Sequence, residues 1–235
     1  MKASLYILLS VMGLFSIFSH AQSPTGATNR NLVNNNSYSN SLLGRTLWDV
    51  AFKNYLTQNQ REKLFYFDNW KNEAMINTKF RVKNVNYSFY DEALAYQISK
   101  DSIYLFDNTN IDHFAIGQKR FKKYYLGSQE GRKYLEVLYT SADGKLQLLK
   151  RTRISVSEGE VDPLMVKKNS LKIVRLSDHF LVRDGGTPTE IRLNKKSILG
   201  QFKDQKEQLV AHSKTHKLSF KKEEDLVQLL GYLNE

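Results

Sequence analysis

The chain is 235 residues long, with 13 Phe, 13 Tyr, 2 Trp, three prolines, no cysteine, 41% apolar and 25% charged residues. That composition excludes collagen-like, coiled-coil and disulfide-stapled architectures, and a domain near this size buries roughly 70% of its unfolded surface, enough for a substantial core. The unusual quantity is a formal charge of +11.

The first 21 residues read as a secretory signal peptide: Lys2, an apolar run from Leu5 to Phe18, and Ser19-His20-Ala21 before the cut. A helix over that run is about 21 Å long, short of the roughly 30 Å hydrocarbon core, and no later stretch is long enough to span. With no cysteine for acylation the expectation is an exported protein of the periplasm or outer-membrane periphery that is not a lipoprotein and has no transmembrane span in the mature chain. Absence of cysteine also removes thiol nucleophiles and Cys-ligated metal sites. Residues 22–41, rich in Asn, Ser and Thr, read as a disordered leader.

Residues 42–235 read as one β-rich domain. Leu47, Trp48, Ala51, Phe52, Tyr55 and Leu56 recur at the spacing of one helical face and predict an N-terminal helix. From about Lys63 the period changes to two. FYF at 65–67, then Phe80, Val82, Val85, Tyr87 and Phe89, then ALAYQIS, SIYLF, HFAIG, FKKYYL, YLEVLY and KLQLLKRTRISV predict about ten short antiparallel strands in a meander. Turn chemistry at Asp101-Ser102, Asp143-Gly144 and Asp184-Gly185-Gly186 agrees. Beyond residue 195 the apolar positions return to helical spacing. Ile198, Leu199, Phe202, Leu209 and Val210 predict one or two helices broken near Gly200, and Leu226, Val227, Leu229, Leu230 and Leu233 predict another behind Glu223, Glu224 and Asp225. The expected fold is mainly β (α+β): an antiparallel sandwich or partly open barrel with an N-terminal helix and a C-terminal helical hairpin.

The run NVNYSFYDEALAYQIS (84–99), YLEVLY (134–139), LLKRTRISV (148–156), the Lys195-Lys196-Ser197-Ile198-Leu199 helix start and the terminal DLVQLLGYLNE (225–235) resemble a family of exported, signal-peptide-bearing Bacteroidota proteins of uncharacterised activity, over about residues 78–235. The resemblance implies an envelope location and a β-rich fold, and no activity.

Signatures of catalysis are missing: no GxSxG, no phosphate loop, no GxGxxG and no HExxH. His212 and His216 share a helical face, but nearby Lys214 and Lys217 repel a cation and a third ligand is missing. Asp112-His113 and Asp178-His179, with Ser102 or Ser177, are conceivable acid–base sets, yet adjacent strand residues point to opposite faces. Asp107 to Asp112 and Glu158 to Asp162 are acidic runs that break calcium-loop spacing and read as solvated turns. The expectation is therefore no catalytic, cofactor-binding or metal residue, and no cofactor.

The charge is unevenly distributed. Residues 22–114 hold 10 basic and 9 acidic side chains, 115–222 hold 24 and 11, and 223–235 hold none and 4. The peaks KRFKKYY and KRTR make Lys119, Arg120, Lys122, Lys123, Lys150, Arg151 and Arg153 candidate contacts to an anionic partner, an envelope protein or an anionic lipid surface. Export argues against nucleic acid. The functional expectation is a non-enzymatic envelope protein serving as a binding or accessory subunit of an outer-membrane or secretion assembly; the alternative is a periplasmic carrier of a small apolar ligand, lipocalin-like or lipoprotein-carrier-like. The two differ in whether the sheet encloses a packed core or a hollow.

Overall fold

The computed structural model describes residues 45–46, 56–99, 102–158 and 171–233. In chain order these are β1 (Arg45–Thr46), α1 (Gln58–Glu62), β2 (Asn72–Ile76), β3 (Phe80–Ser88), β4 (Ala93–Ser99), β5 (Ser102–Leu105), β6 (His113–Ile116), β7 (Lys119–Tyr125), β8 (Arg132–Thr140), β9 (Leu146–Glu158), β10 (Leu171–Arg183), β11 (Thr189–Ile191), α2 (Lys195–Gln201), α3 (Lys206–Thr215) and α4 (Glu223–Tyr232). The strands form one antiparallel sheet in the order β1-β5-β4-β3-β2-β6-β7-β8-β9-β10-β11, open at β1 and β11. The mainly β expectation holds, and seven of the strands, β3 to β9, lie on the runs that alternation picks out. The signal-peptide and leader segments and residues 47–55 of the expected N-terminal helix lie outside the described residues. No helix among the described residues is long and apolar enough to cross a membrane.

Hairpin chemistry fixes most pairings. Asp184 and Gly185 have φ of 50° and 70°, the two left-handed residues that a tight turn matching strand twist requires. Between β2 and β3 the same pair of conformations falls on Asn77 and Thr78, at 48° and 56°, with no glycine to announce it. Asn77 is held there because its Oδ1 accepts from the N–H groups of Asp112 and His113 at 2.9 and 3.2 Å.

Three expectations need correction. The strands are not a simple meander: after β5 the chain crosses back so that β6 pairs with β2. The crossing, residues 106–112, is buried at Phe106 and Ile111, and Tyr134 Oη donates to the Ile111 carbonyl at 2.7 Å, so burial on the core outweighs local hairpin continuity. FYF at 65–67 is not a strand either; it contributes a single bridge, Phe65 to Ser88, as the chain bends into β2. At the C-terminus three helices stand in place of a hairpin. Gly200 lies inside α2, and the break comes at Phe202–Gln205, where Phe202 turns into the core and under the Arg183 guanidinium, 4.5 Å from its ring centre.

The main core is aromatic. Phe114 stacks on Phe121 at 4.9 Å and 16°, with Tyr87 and Tyr134 around them at 5.7 and 5.1 Å from Phe114, and Leu94, Ile111 and Ile116 close the cluster. A second core seats α2, α3 and α4 on β9 to β11 through Leu148, Leu181, Ile198, Leu209, Leu226 and Leu229. The opposite face of β8 to β10 is also buried, at Leu135, Leu149, Phe180 and Val182, which is why LQLLK and HFLVR read as continuous apolar runs rather than alternating ones. A third contact brings Ile173 of β10 against Leu64 and Phe65. There Arg175 reinforces the contact by donating to the carbonyls of Glu62, Lys63 and Phe65.

Candidate anion-docking face

Strand alternation divides the seven candidate cations. Lys119 and Lys123 share the core-side face of β7 with Phe121. Lys119 Nζ lies 3.0 Å from the buried Glu136 carboxylate, which also accepts from Tyr66 Oη at 2.9 Å; burial and that carboxylate push the Tyr66 phenol up to about 12. Lys123 donates to the Asn108 carbonyl and sits 5.4 Å over the Tyr134 ring. Lys150 is 2.8 Å from Glu223, Arg153 grips Asp178 through two bonds of 2.5 and 3.0 Å, and Arg151, 8% exposed, binds Glu92 at 2.8 Å and Glu130 at 3.2 Å. Five of the seven are therefore engaged within the fold. Arg120 and Lys122, on the outward face of β7, are exposed, and no carboxylate among the described residues pairs with them.

Those two are joined on the same face by residues outside the basic half. Register aligns Arg81 of β3, Met75 of β2, Ala115 of β6 and Arg120 of β7 in one row, with Lys83 beside Glu73 and Lys122 beside His113 in the flanking rows. With strands about 4.8 Å apart, Arg81 and Arg120 stand roughly 14 Å from one another across a shallow face with Met75 and Ala115 half-buried at its centre. Glu73 is its single carboxylate. It pairs with Arg81 at 3.4 Å, but both are well exposed, and such pairs contribute little. Arg81 and Lys83 escaped notice because their half of the chain is nearly neutral. Their signal is local: two cations flank Val82 at strand spacing, and the buried side of that alternation fixes where they point.

The acid–base candidates are not brought together. His113 and His179 lie on β6 and β10, four interstrand steps or roughly 19 Å apart and on opposite faces. Ser102 is buried on β5, and Asp178 is bound to Arg153. Asp107 turns its Oδ1 to the Thr109 N–H and hydroxyl at 2.8 and 2.7 Å, which lowers its pKa and makes the run a closed turn; residues 159–162 of the second acidic run lie outside the described residues. The His212 ring stacks on Tyr232 at 3.8 Å with His216 at 4.2 Å, and among the described residues no group of three potential ligands converges on one point.

A different histidine acquires a partner that spacing does not reveal. His179 Nε2 lies 2.9 Å from Glu223 in the first turn of α4, and Lys150 completes the contact. The His179 hydrogen bond first, and the Lys150 ammonium with it, hold the Glu223 carboxyl down to about 2 from an ordinary 4.5, against burial, which pushes it up. This tie between helix and sheet contributes fully above pH 4.5. As pH falls from 4.5 toward about 2 the unfolded chain binds a proton that the folded chain does not, and stabilisation on the order of 1–2 kcal/mol, discounted for partial exposure, is lost. Glu223→Gln is expected to flatten the pH dependence of Tm in that window and to lower stability at pH 7 by about 1 kcal/mol, measured by urea unfolding. An unchanged pH profile would remove the tie.

Compared with protein-family models, with curated proteins and with solved structures, the chain matches none, so the functional reading rests on the geometry above.

Proposed function

We propose that the chain is a non-enzymatic, exported envelope protein that acts as an accessory subunit of an outer-membrane or secretion assembly and docks an anionic partner on the outward face of β3, β2, β6 and β7. The observation that carries this reading is the convergence of Arg81, Lys83, Arg120 and Lys122 from four-strand register onto one exposed face, with one weakly paired carboxylate among them. The carrier reading asks for a hollow, whereas the rings of Tyr87, Phe114, Phe121 and Tyr134 pack against one another in the main core. The envelope location rests on the sequence of residues 1–21.

A photo-crosslinking amino acid at position 75, used in native envelope fractions, tests the reading. A discrete adduct is expected, reduced about tenfold by Arg120→Glu with Lys122→Glu and weakened by raising salt from 0.1 to about 0.5 M, as screened charge contacts require. A protein that stays monomeric and free of adducts sinks it.

A further inference from the structure

Two of the clefts on the described surface differ in character. One, of 790 Å³, lies where α1 meets β10, is mostly polar, and has its Arg175 already committed to three carbonyls. The other, of 510 Å³, lies between α2 and α3 and has the opposite character: its exposed surface is mostly apolar and its rim is cationic. We propose that this groove binds an anionic amphiphile, with one aliphatic chain on the floor and a carboxylate or phosphate head among Lys195, Lys206 and Lys214.

The floor is the outer margin of the C-terminal core, to which Leu199, 7% exposed, belongs and against which Val210 packs. On α3, Leu209 is buried against the sheet, while Val210 and Ala211, about 100° and 200° further round the helix, are half-buried and exposed and border the groove with Leu199 of α2. The rim is not explained by the fold. No carboxylate among the described residues pairs with Lys195, Lys206 or Lys214, whereas Lys119, Lys150, Arg151 and Arg153 each hold one. Lys195 and Lys206 also stand in the first turns of their helices, where a cation opposes the helix dipole, so helix stability does not account for them. Glu207 is the one acid lining the groove, which leaves its lining with an excess of positive charge.

Each half of this arrangement selects against simpler ligands. A bare anion gains nothing from Leu199, Val210 and Ala211, and a neutral apolar molecule gains nothing from three ammonium groups. Ammonium groups on flexible stems bind carboxylate or phosphate as point charges without demanding one planar geometry. A volume of 510 Å³ falls in the range of small-molecule sites, and walls of seven and ten residues, about 10 and 15 Å long, suit a single chain rather than a partner's surface.

Isothermal titration of the full chain with laurate, dodecyl phosphate and the neutral dodecyl maltoside, each below its micelle concentration, tests the proposal. One site of micromolar Kd is expected for the two anions, with the maltoside at least about tenfold weaker; tighter laurate points to a free fatty acid, tighter dodecyl phosphate to a phospholipid head. Lys195→Glu, Lys206→Glu and Lys214→Glu together are expected to weaken both anions by about tenfold or more, and Val210→Asp to weaken all three ligands. These positions are exposed or half-buried, and near-UV circular dichroism verifies that each variant is folded. Absence of binding, equal binding of the maltoside, many bound molecules per chain, or full affinity in the triple-lysine variant overturns it. So does an acidic amphipathic peptide that binds where neither anion does. The sheet face is untouched by these substitutions, so failure here and failure of the docking reading are separate results.

Discussion

Replacing Phe114 by alanine is expected to destabilise the protein by about 3–5 kcal/mol, the cost of removing a fully buried aromatic ring whose cavity cannot collapse. Phe114 is 1% exposed and touches rings on several sides: Phe121 stacked at 4.9 Å, Tyr134 edge-on at 5.1 Å and Tyr87 at 5.7 Å. These neighbours come from β3, β7 and β8, so no single strand can shift to fill the space without losing its register. For a chain of this size the loss corresponds to a fall in Tm on the order of 10 °C, read by thermal unfolding at 280 nm. Phe114→Leu, which keeps most of the volume, should cost less than half as much. A loss below about 1 kcal/mol for Phe114→Ala would mean that the interior is not closely packed, and it would revive the hollow-carrier reading at the same time.

Removing Arg151 is expected to cost about 2–3 kcal/mol, through the charges it would leave behind. Its guanidinium is 8% exposed and binds Glu92 through Nε at 2.9 Å and Nη2 at 2.8 Å, with Glu130 at 3.2 Å. Breaking a buried pair usually costs more, but Glu92 keeps Lys133 and a fifth of its side chain is in water, so the penalty is reduced. The decisive measurement is a double-mutant cycle. Arg151→Met combined with Glu92→Gln should be more stable than Arg151→Met alone, because the double variant buries no orphaned carboxylate. Additive losses would show that the arginine acts only through packing. Glu92 sits at φ 50° in the β3–β4 turn, so the network also holds a residue in a conformation that its side chain disfavours.

The outward face and the ion pairs were legible to different degrees for one reason. Alternation in KRFKKYY places Arg120 and Lys122 opposite Phe121, and the structure keeps that division. Whether a given cation is free or spent depends on carboxylates far along the chain: Glu223 lies 73 residues from Lys150, and Glu92 lies 59 from Arg151. No spacing rule reaches across such separations. Clusters of charge in the sequence therefore overstated the KRTR segment, where Arg151 and Arg153 are held internally, and understated FRVKNV, whose cations converge with those of β7 only through β2 and β6.

Local information sufficed for the class of fold, for the positions of the seven strands β3 to β9 and for the apolar stripes of the C-terminal helices, because periodicity and turn residues act within a few positions of one another. It did not suffice for strand order. The crossing that sets β6 against β2 depends on burying Phe106 and Ile111 under Tyr134, a gain that exists only once the sheet has formed. Filled interior and hollow barrel share one alternation of apolar and polar residues, and the choice between them belongs to the volumes of facing side chains. Here Tyr87, Phe114, Phe121 and Tyr134 meet ring to ring from four strands and leave the outer surface to carry the cations.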